Sequence, residues 1–269
     1  MFEIFTYDFM IRALIVGTLV SLCAALLGVI LVLKRYSMIG DGLSHVGFGA
    51  LAIAAAANLA ELQVAVPIVL IAAFFLLRLS KKSGLNGDAA IAVISTTALA
   101  IGVIVAGVAG LNTDLNSYLF GSILATTNAD AVMCVVLAIV VIVVFLVFYN
   151  KIFSVTFDES FAAATGARPA VYNMIIAVLT ALTIVIGMKI MGTLLISALI
   201  IFPALSAMRL CKSFKSVIIV SGILSVFCFI FGLILSYYLD IATGPTVVLF
   251  NCAVLIIFYV ISRIRMKFL

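Results

Sequence analysis

Long runs of apolar residues without a charged side chain are the feature that most constrains the fold of this chain. Seven of these runs approach or exceed the ~20 residues with which a helix crosses a bilayer. They cover residues 13–33, 89–113, 131–150, 169–188, 190–208, 216–239 and 241–262. Because 67% of the 269 residues are hydrophobic and only 9% are charged, the chain has too little polar surface for a water-soluble protein. It is therefore predicted to be an all-α, polytopic membrane helical bundle.

Two shorter apolar runs complete the predicted set of spans. Residues 46–60 and 62–77 are rich in alanine, are separated by Glu61, and are expected to form a pair of tilted or partly buried helices. The total is then nine spans, or eight if one of the pair does not cross. Residues 115–129 are also uncharged, but glycine and polar residues interrupt them, so we predict a loop there that lines a cavity and can be re-entrant. The chain is expected to form one transmembrane domain, residues 1–269.

The basic residues predict how the chain crosses the membrane. If Lys34 and Arg35 are cytoplasmic, nine spans place thirteen of the fifteen lysines and arginines on the cytoplasmic side and leave Arg12 and Lys189 outside. The N-terminus is then outside and the C-terminus is in the cytoplasm. This distribution accounts for the net charge of +5, and no basic stripe with interleaved aromatic residues suggests a nucleic-acid partner.

Several functions are excluded or made improbable by what the sequence lacks. Nine spans leave no room for a catalytic domain, and the five cysteines are scattered without the C-x-x-C spacing of a metal cluster or redox site. The phosphate-binding motif G-x-x-x-x-G-K-[ST] is absent, so if ATP drives this protein, another chain must bind it. A channel, a secondary transporter, the membrane subunit of a larger machine and an intramembrane enzyme remain as candidates.

Asp41 and the single histidine, His45, are the densest combination of metal-binding side chains in an apolar segment. If Asp41 opens a helix, His45 lies at i+4 on the same face. A carboxylate oxygen and an imidazole nitrogen suit Mn(II), Fe(II) or Zn(II) better than Mg(II) or an alkali ion. The alternative is structural: Asp41 caps the helix and His45 donates a hydrogen bond to a neighbouring helix. Two donors do not complete a metal site, so the residues alone leave both interpretations open.

A cytoplasmic segment is the second informative stretch. Phe157, Asp158 and Glu159 precede an alanine run that Gly166 and then a proline end, a pattern that predicts a two-turn helix across the inner face of the membrane. Phe161 would lie one turn after Phe157, so that one aromatic face is offered to a docking partner. The alternative is an interfacial helix on lipid headgroups, for which basic rather than acidic residues are expected.

Four segments together resemble one protein family. They are Asp41-Gly-Leu-Ser-His45 after Leu-Lys-Arg-Tyr, Tyr118-Leu-Phe-Gly-Ser-Ile-Leu124, the stretch from Phe157 to Gly166, and the stretch from Gly192 to Pro203. In sequence and in order these segments look like the permease subunits of ATP-binding-cassette (ABC) importers for zinc, manganese or iron(II). The resemblance extends over most of the chain and does not distinguish between the metals.

The resemblance implies a set of partners and roles. Two permease subunits, here expected to be two copies of this chain, would form the path in the bacterial inner membrane. Two cytoplasmic ATPase subunits would dock below them, and an extracytoplasmic metal-binding protein would deliver the ion. Asp41 and His45 match the positions that handle the metal in transit. The segment with Phe157, Asp158, Glu159, Phe161 and Gly166 would be the helix that couples the permease to the ATPase. No cofactor is expected to be bound permanently.

Further positions and rival functions follow from the same sequence. Met188 and Met191 lie near the predicted outer end of a span and could contribute to a gate, although methionine in a membrane helix more often packs.

A gradient-driven secondary transporter is the first rival, but the sequence has no convincing internal repeat. An intramembrane metalloenzyme is the second rival. It needs about three protein ligands and a general base, and one histidine without an H-E-x-x-H motif makes it improbable. A permease for siderophores or corrinoids is a further alternative, which the short outer loops and the Asp-His pair disfavour.

Overall fold

The predicted helical architecture is present in a computed structural model that describes residues 8–82, 87–110, 120–121, 123 and 126–267. These residues form eleven helices longer than one turn. They are α1 (Asp8–Leu33), α2 (Ile39–Ala56), α3 (Glu61–Lys82), α4 (Gly87–Val108), α5 (Asn128–Val147), α6 (Tyr149–Phe157), α7 (Glu159–Ala164), α8 (Pro169–Met191), α9 (Thr193–Leu210), α10 (Phe214–Leu239) and α11 (Thr243–Lys267). The all-α prediction is confirmed.

Eight helices within the described ranges are long and apolar enough to cross a membrane. They are α1, α2, α4, α5 and α8 to α11, whereas the apolar part of α3, Glu61–Leu76, is shorter. This number agrees with the predicted eight to nine spans. Most of the predicted loop at 115–129 lies outside the described residues, but its last two residues, Asn128 and Ala129, belong to the first turn of α5.

The bundle has two packed groups, and α8 contacts both of them. On one side, α2 packs between α3 and α4, and on the other, α1 packs with α9 and α10, which in turn contact α11. Glycine lets the backbones approach closely at two of these interfaces. A Cβ at Gly49 of α2 would lie only 2.6 Å from the carbonyl oxygen of Ala98 on α4, and a Cβ at Gly28 of α1 would collide with the carbonyl oxygen of Ile200 on α9. These close contacts position α2 along α4 and α9 along α1.

The helices α6, α7 and the start of α8 form a small unit at one end of the bundle, which we call the α7 end. Its apolar contacts join Val155, Ala162 and Ala167, with Tyr172 packed against them. The continuous apolar run predicted over residues 131–150 is interrupted here, because α5 ends at Val147 and α6 begins at Tyr149. The single transmembrane domain with a coupling helix at about residues 157–166 stays a prediction.

The opposite end of the bundle, which we call the Lys189 end, contains a sharp connection between α8 and α9. Gly192 is the one residue between these two helices and has a φ of 83°, a conformation that favours glycine. Gly121 lies directly against the backbone of Met191 and Gly192, so that a Cβ at this position would collide with them. Main chain therefore packs against main chain at this end.

Candidate functional site

The two candidate donors lie in the first two turns of α2. The helix begins at Ile39, and Met38 occupies its N-cap without a side-chain hydrogen bond. Asp41 is thus the third helical residue and does not occupy the cap position that the structural alternative assigned to it. The helix begins seven residues earlier than the apolar run at 46–60, so both polar residues lie within the span. They share one helix face, because they are four residues apart.

The two side chains are close but do not form a hydrogen bond with each other. Nε2 of His45 lies 3.6 Å from Oδ2 of Asp41, which is longer than a hydrogen bond between such atoms. The side chain of His45 is 22% exposed and that of Asp41 is 44% exposed. Nδ1 of His45 is buried and has no hydrogen-bond partner among the described residues. The exposed carboxylate of Asp41 and Nε2 of His45 therefore make no hydrogen bond with each other and can still bind a ligand.

The position of α2 places this pair at the level of the middle of α9. A Cβ at Gly40 would lie 2.9 Å from Cδ1 of Ile200, which is the eighth of the 18 residues of α9. Seven steps of 1.5 Å put this level about 10 Å from the start of α9. Asp41 follows Gly40 directly, so the pair lies near the middle of α9 rather than at either end of it.

The pair is an incomplete metal site within the described part of the chain. No group of three or more His, Cys, Asp or Glu side chains that could hold a metal occurs there. A carboxylate and an imidazole can still contact a borderline divalent cation that keeps part of its water shell. Two protein donors and open positions suit a brief contact better than a permanent structural metal, which usually has four protein ligands.

The two methionines with a predicted gate role are fully buried. Met188 is 1% exposed and Met191 is 0% exposed. The Sδ and Cε atoms of Met188 lie where a Cβ at Gly47 would be, so this side chain packs onto α2 two residues after His45. Burial of this kind agrees with the packing alternative, and the gate role stays a prediction.

The segment predicted to couple the permease to an ATPase has defined ends. Oδ1 of Asp158 accepts hydrogen bonds from the amides of Ser160 and Phe161, at 2.8 and 2.9 Å, and so caps α7. At the other end, Gly166 has a φ of 80°. Its amide donates to the carbonyl of Ala163, a pattern typical of a glycine-terminated helix. The short helix is therefore capped at both ends.

The aromatic residues of this segment differ from the prediction in one respect. Phe157 is the last residue of α6, and the extended backbone of Asp158 separates it from α7, so Phe157 and Phe161 do not lie on one face of a single helix. The predicted face is wrong because Asp158 caps α7 in an extended conformation, which ends the helical repeat. Both rings are nevertheless exposed, at 59% and 61%. Phe157 also contacts the rings of Phe153 and Phe214.

Glu159, the third acidic candidate, is engaged within the chain. Its Oε1 lies 3.0 Å from Nζ of Lys34 at the end of α1 and accepts a 2.8 Å hydrogen bond from Nδ2 of Asn173 on α8. Nζ of Lys34 also donates to Oδ1 of Asn173 at 2.6 Å. Sequence reasoning did not single out Lys34 or Asn173 as partners of Glu159. They are 125 and 14 residues away from it along the chain, and no local motif connects them.

A mostly apolar cleft of about 780 Å³ lies between the start of α2 and this triad. Ile39 and Leu43 of α2 line one part of it, and Lys34, Glu159 and Asn173 line another. The cleft therefore extends from the helix that carries Asp41 and His45 to the α7 end of the bundle.

A second ion pair lies at the Lys189 end. Nζ of Lys189 donates to Oδ1 of Asp130 at 2.9 Å. Oδ2 of Asp130 accepts from the hydroxyl and the amide of Thr127, at 2.6 and 3.2 Å, in a capping box that begins α5. Sequence reasoning noticed Lys189 but missed Asp130. The T-x-x-D spacing before an apolar run, a variant of the capping-box pattern, was the available signal.

Comparison with known proteins identifies the family of this chain. Residues 6–262 match the model of a family described as the ABC 3 transport family. The manganese import system permease protein ScaB of Streptococcus parasanguinis is 30% identical over 261 residues, which are 97% of this chain and 93% of that protein. The high-affinity zinc uptake system membrane protein ZnuB of Haemophilus influenzae is 31% identical over 244 residues, 90% of this chain and 94% of that protein.

A solved structure agrees with this match. The fold is similar to that of a chain of PsaBC from Streptococcus pneumoniae in complex with Fab, with a TM-score of 0.84 and 30% sequence identity. The similarity covers 94% of this chain and 91% of that one. Because the family model spans residues 6–262, nearly all of the sequence, the chain belongs to the ABC 3 transport family.

Proposed function

We propose that this chain is the membrane permease of an ATP-driven importer for a divalent transition metal, Mn(II), Zn(II) or Fe(II). The observation that carries the proposal is the pair Asp41 and His45, which lies at the level of the middle of α9 and whose partly exposed side chains make no hydrogen bond with each other. The names of the relatives support the same class of cargo, since they refer to manganese import and zinc uptake.

Asp41 and His45 are proposed to bind the ion transiently as it passes. A transport site must bind strongly enough to accept the ion and weakly enough to release it. Nε2 of His45 and Oδ2 of Asp41 are 3.6 Å apart, so neither atom is held by a hydrogen bond to the other before an ion arrives. The ion would keep water or gain further ligands on its open positions, so that it can be released without breaking a complete coordination shell.

The segment around α7 is proposed to dock onto a cytoplasmic ATPase. Phe157 and Phe161 would make the apolar contact, whereas Asp158 and Gly166 define the two ends of α7. The sequence lacks its own ATP-binding motif. Hydrolysis is therefore assigned to the partner subunit, and this chain has no catalytic role of its own.

The remaining parts of the proposal concern assembly and orientation. In the assembly we expect two copies of this chain, two ATPase subunits and an extracytoplasmic metal-binding protein. The α7 end would face the cytoplasm, with the N-terminus outside and the C-terminus inside. The distribution of basic residues supports this orientation. Met188 and Met191 would lie at the outer end, where a gate is still proposed.

The test is transport by the reconstituted assembly. This chain, its ATPase and its binding protein are placed in vesicles, and uptake of Mn(II), Zn(II) and Fe(II) is measured with and without ATP. We expect ATP-dependent uptake of at least one ion and stimulation of ATP hydrolysis by the same ion. The decisive control contains this chain alone under an imposed ion gradient. Gradient-driven uptake in that control, without ATP, would contradict the proposal and favour a secondary transporter.

A further inference from the structure

The Lys34–Glu159–Asn173 triad joins three separate elements at the α7 end of the bundle. Glu159 belongs to α7, Asn173 to the first turns of α8, and Lys34 follows the last residue of α1. Each side chain contacts both of the others, at 3.0, 2.8 and 2.6 Å. The side chain of Lys34 is 10% exposed and that of Glu159 is 40% exposed, so this contact is partly shielded from water. A partly buried charge pair is screened less by salt than a fully exposed one.

Lys34 also begins the turn that leads to α2. Five residues, 34–38, separate α1 from α2, and backbone hydrogen bonds stabilise them. The amide of Lys34 donates to the carbonyl of Ile30 at 2.9 Å, and that of Tyr36 donates to Leu31 at 2.8 Å. The amide of Ile39, the first residue of α2, donates to the carbonyl of Tyr36 at 3.0 Å. A displacement of Lys34 is therefore passed to α2 through a hydrogen-bonded turn.

Glu159 points away from the exposed aromatic surface of the same segment. Phe161 is 61% exposed, whereas Glu159 directs its carboxylate to Lys34 and Asn173. The segment thus has an outer surface, available to a partner, and an inner contact with the membrane domain. The two surfaces have different roles: one can receive the movement of a partner, and the other is connected to α1 and α8.

We propose that the triad of Lys34, Asn173 and Glu159 is a positioning element that transmits a displacement of α7 to the α1–α2 turn and thereby to Asp41 and His45. This inference rests on the proposed function, because it needs a partner that moves α7 and an ion that contacts α2. It changes the role of Glu159 from a contact with the ATPase to a contact within the permease. Two sites are coupled when both of them shift the equilibrium between two arrangements of the same structural element.

The test measures coupling rather than activity alone. Glu159→Gln and Lys34→Met are each introduced into the complete assembly in vesicles, and metal uptake and ATP hydrolysis are measured in the same sample with Mn(II), Zn(II) or Fe(II). We expect hydrolysis to continue while the number of ions imported per ATP falls at least about fivefold, the lower range of typical coupling between sites. Asp8→Asn, which also neutralises an acidic side chain but at an exposed position at the start of α1, is the matched control and should leave the ratio unchanged.

Charge exchange provides a second measurement. The double variant Lys34→Glu with Glu159→Lys restores an ion pair of opposite orientation, and Asn173 can offer its amide or its carbonyl to either partner. We expect this variant to recover most of the lost ratio of ions to ATP. If a single variant fails to assemble, the double variant still tests the proposal. A double variant that assembles but does not recover the ratio of ions to ATP contradicts it.

The possible results separate this inference from the proposed function. If both single variants keep the wild-type ratio, or lose uptake and hydrolysis in equal proportion, the triad is only structural and the inference is wrong. If the wild-type assembly hydrolyses ATP but imports none of the three ions, the proposed function is wrong, and the inference is rejected with it.

Discussion

Two of the pairs of ionisable side chains among the described residues, Asp41–His45 near the start of α2 and Asp130–Lys189 at the Lys189 end, differ in how completely their polar atoms are paired. Both carboxylate oxygens of Asp130 accept hydrogen bonds, one from Lys189 and the other from Thr127. Asp41 and His45, in contrast, remain 3.6 Å apart, and Nδ1 of His45 has no partner among the described residues.

The difference favours a structural role for Asp130 and Lys189 and agrees with the transport role proposed for Asp41 and His45. Burying a charged group is costly unless its polar atoms are paired, and Asp130 meets this condition entirely within the chain. It therefore stabilises the start of α5 against α8, and both of its oxygens are engaged within the chain. Asp41 is 44% exposed and makes no hydrogen bond with His45, so its carboxylate is open to an incoming cation. Variants of the two pairs should accordingly affect different properties of the protein.

The largest effect is expected from Asp41→Asn and His45→Ala. Each variant removes a donor from the proposed ion contact, so uptake by the assembly should fall about 10- to 100-fold, the range found when the surroundings of a metal site are altered. ATP-dependent uptake into vesicles is the measurement. The matched control is Asp8→Asn, the same chemical change at an exposed position at the start of α1. Wild-type uptake by both site variants would remove the pair from the mechanism.

Asp130→Ala should act on stability instead. It removes the capping interaction of α5 and leaves Lys189 without its partner, so we expect the free energy of unfolding to fall by about 2 to 3 kcal/mol. Thermal unfolding of the purified chain in detergent measures the change. Uptake per correctly folded assembly should stay close to wild type. A loss of transport without a loss of stability would show that the comparison between the two pairs is mistaken.

Gly49→Ala tests whether close backbone packing positions the helix of the open pair. The new Cβ would lie 2.6 Å from the carbonyl oxygen of Ala98, so α2 and α4 must separate. We expect a loss of about 1 to 2 kcal/mol in stability, together with reduced uptake, because Asp41 and His45 move with α2. Gly107→Ala, on α4 with no atom within 4 Å of the new Cβ, is the control. Equal behaviour of the two variants would contradict the packing argument.

The smallest effect is expected from Lys189→Ala. Asp130 keeps both hydrogen bonds from Thr127 in this variant, and Lys189 is partly exposed, so the loss should be about 1 kcal/mol or less. The thermal midpoint is again the measurement, with the exposed Lys215→Ala as the control. A loss as large as that of Asp130→Ala would assign the stabilisation to the ion pair rather than to the cap.

The helices could be predicted from the sequence because their apolar runs are long and uncharged. The start of α2 could not, since Asp41 and His45 interrupt the apolar pattern although the helix continues through them. The break between α5 and α6 was also missed, because Phe148 is neither glycine nor proline and gives no local signal.

The candidate site was predictable in its residue types and not in its surroundings. Asp41 and His45 stand out in the sequence because they are ionisable residues within apolar segments. The partners of Glu159, in contrast, are brought together by the packing of α1, α7 and α8, and contacts over 125 residues leave no periodic signal. Polar contacts between distant segments require the three-dimensional arrangement.

If the Lys189 end opens during transport, the contact of Gly121 with Gly192 has to separate. Main chain meets main chain there, so rotation of a side chain, which takes picoseconds to nanoseconds, cannot release it. Whole segments must separate, and collective movements of this kind take microseconds to milliseconds. For an ion that enters through this end, the turnover rate has an upper limit set by the polypeptide, however rapidly the ion diffuses.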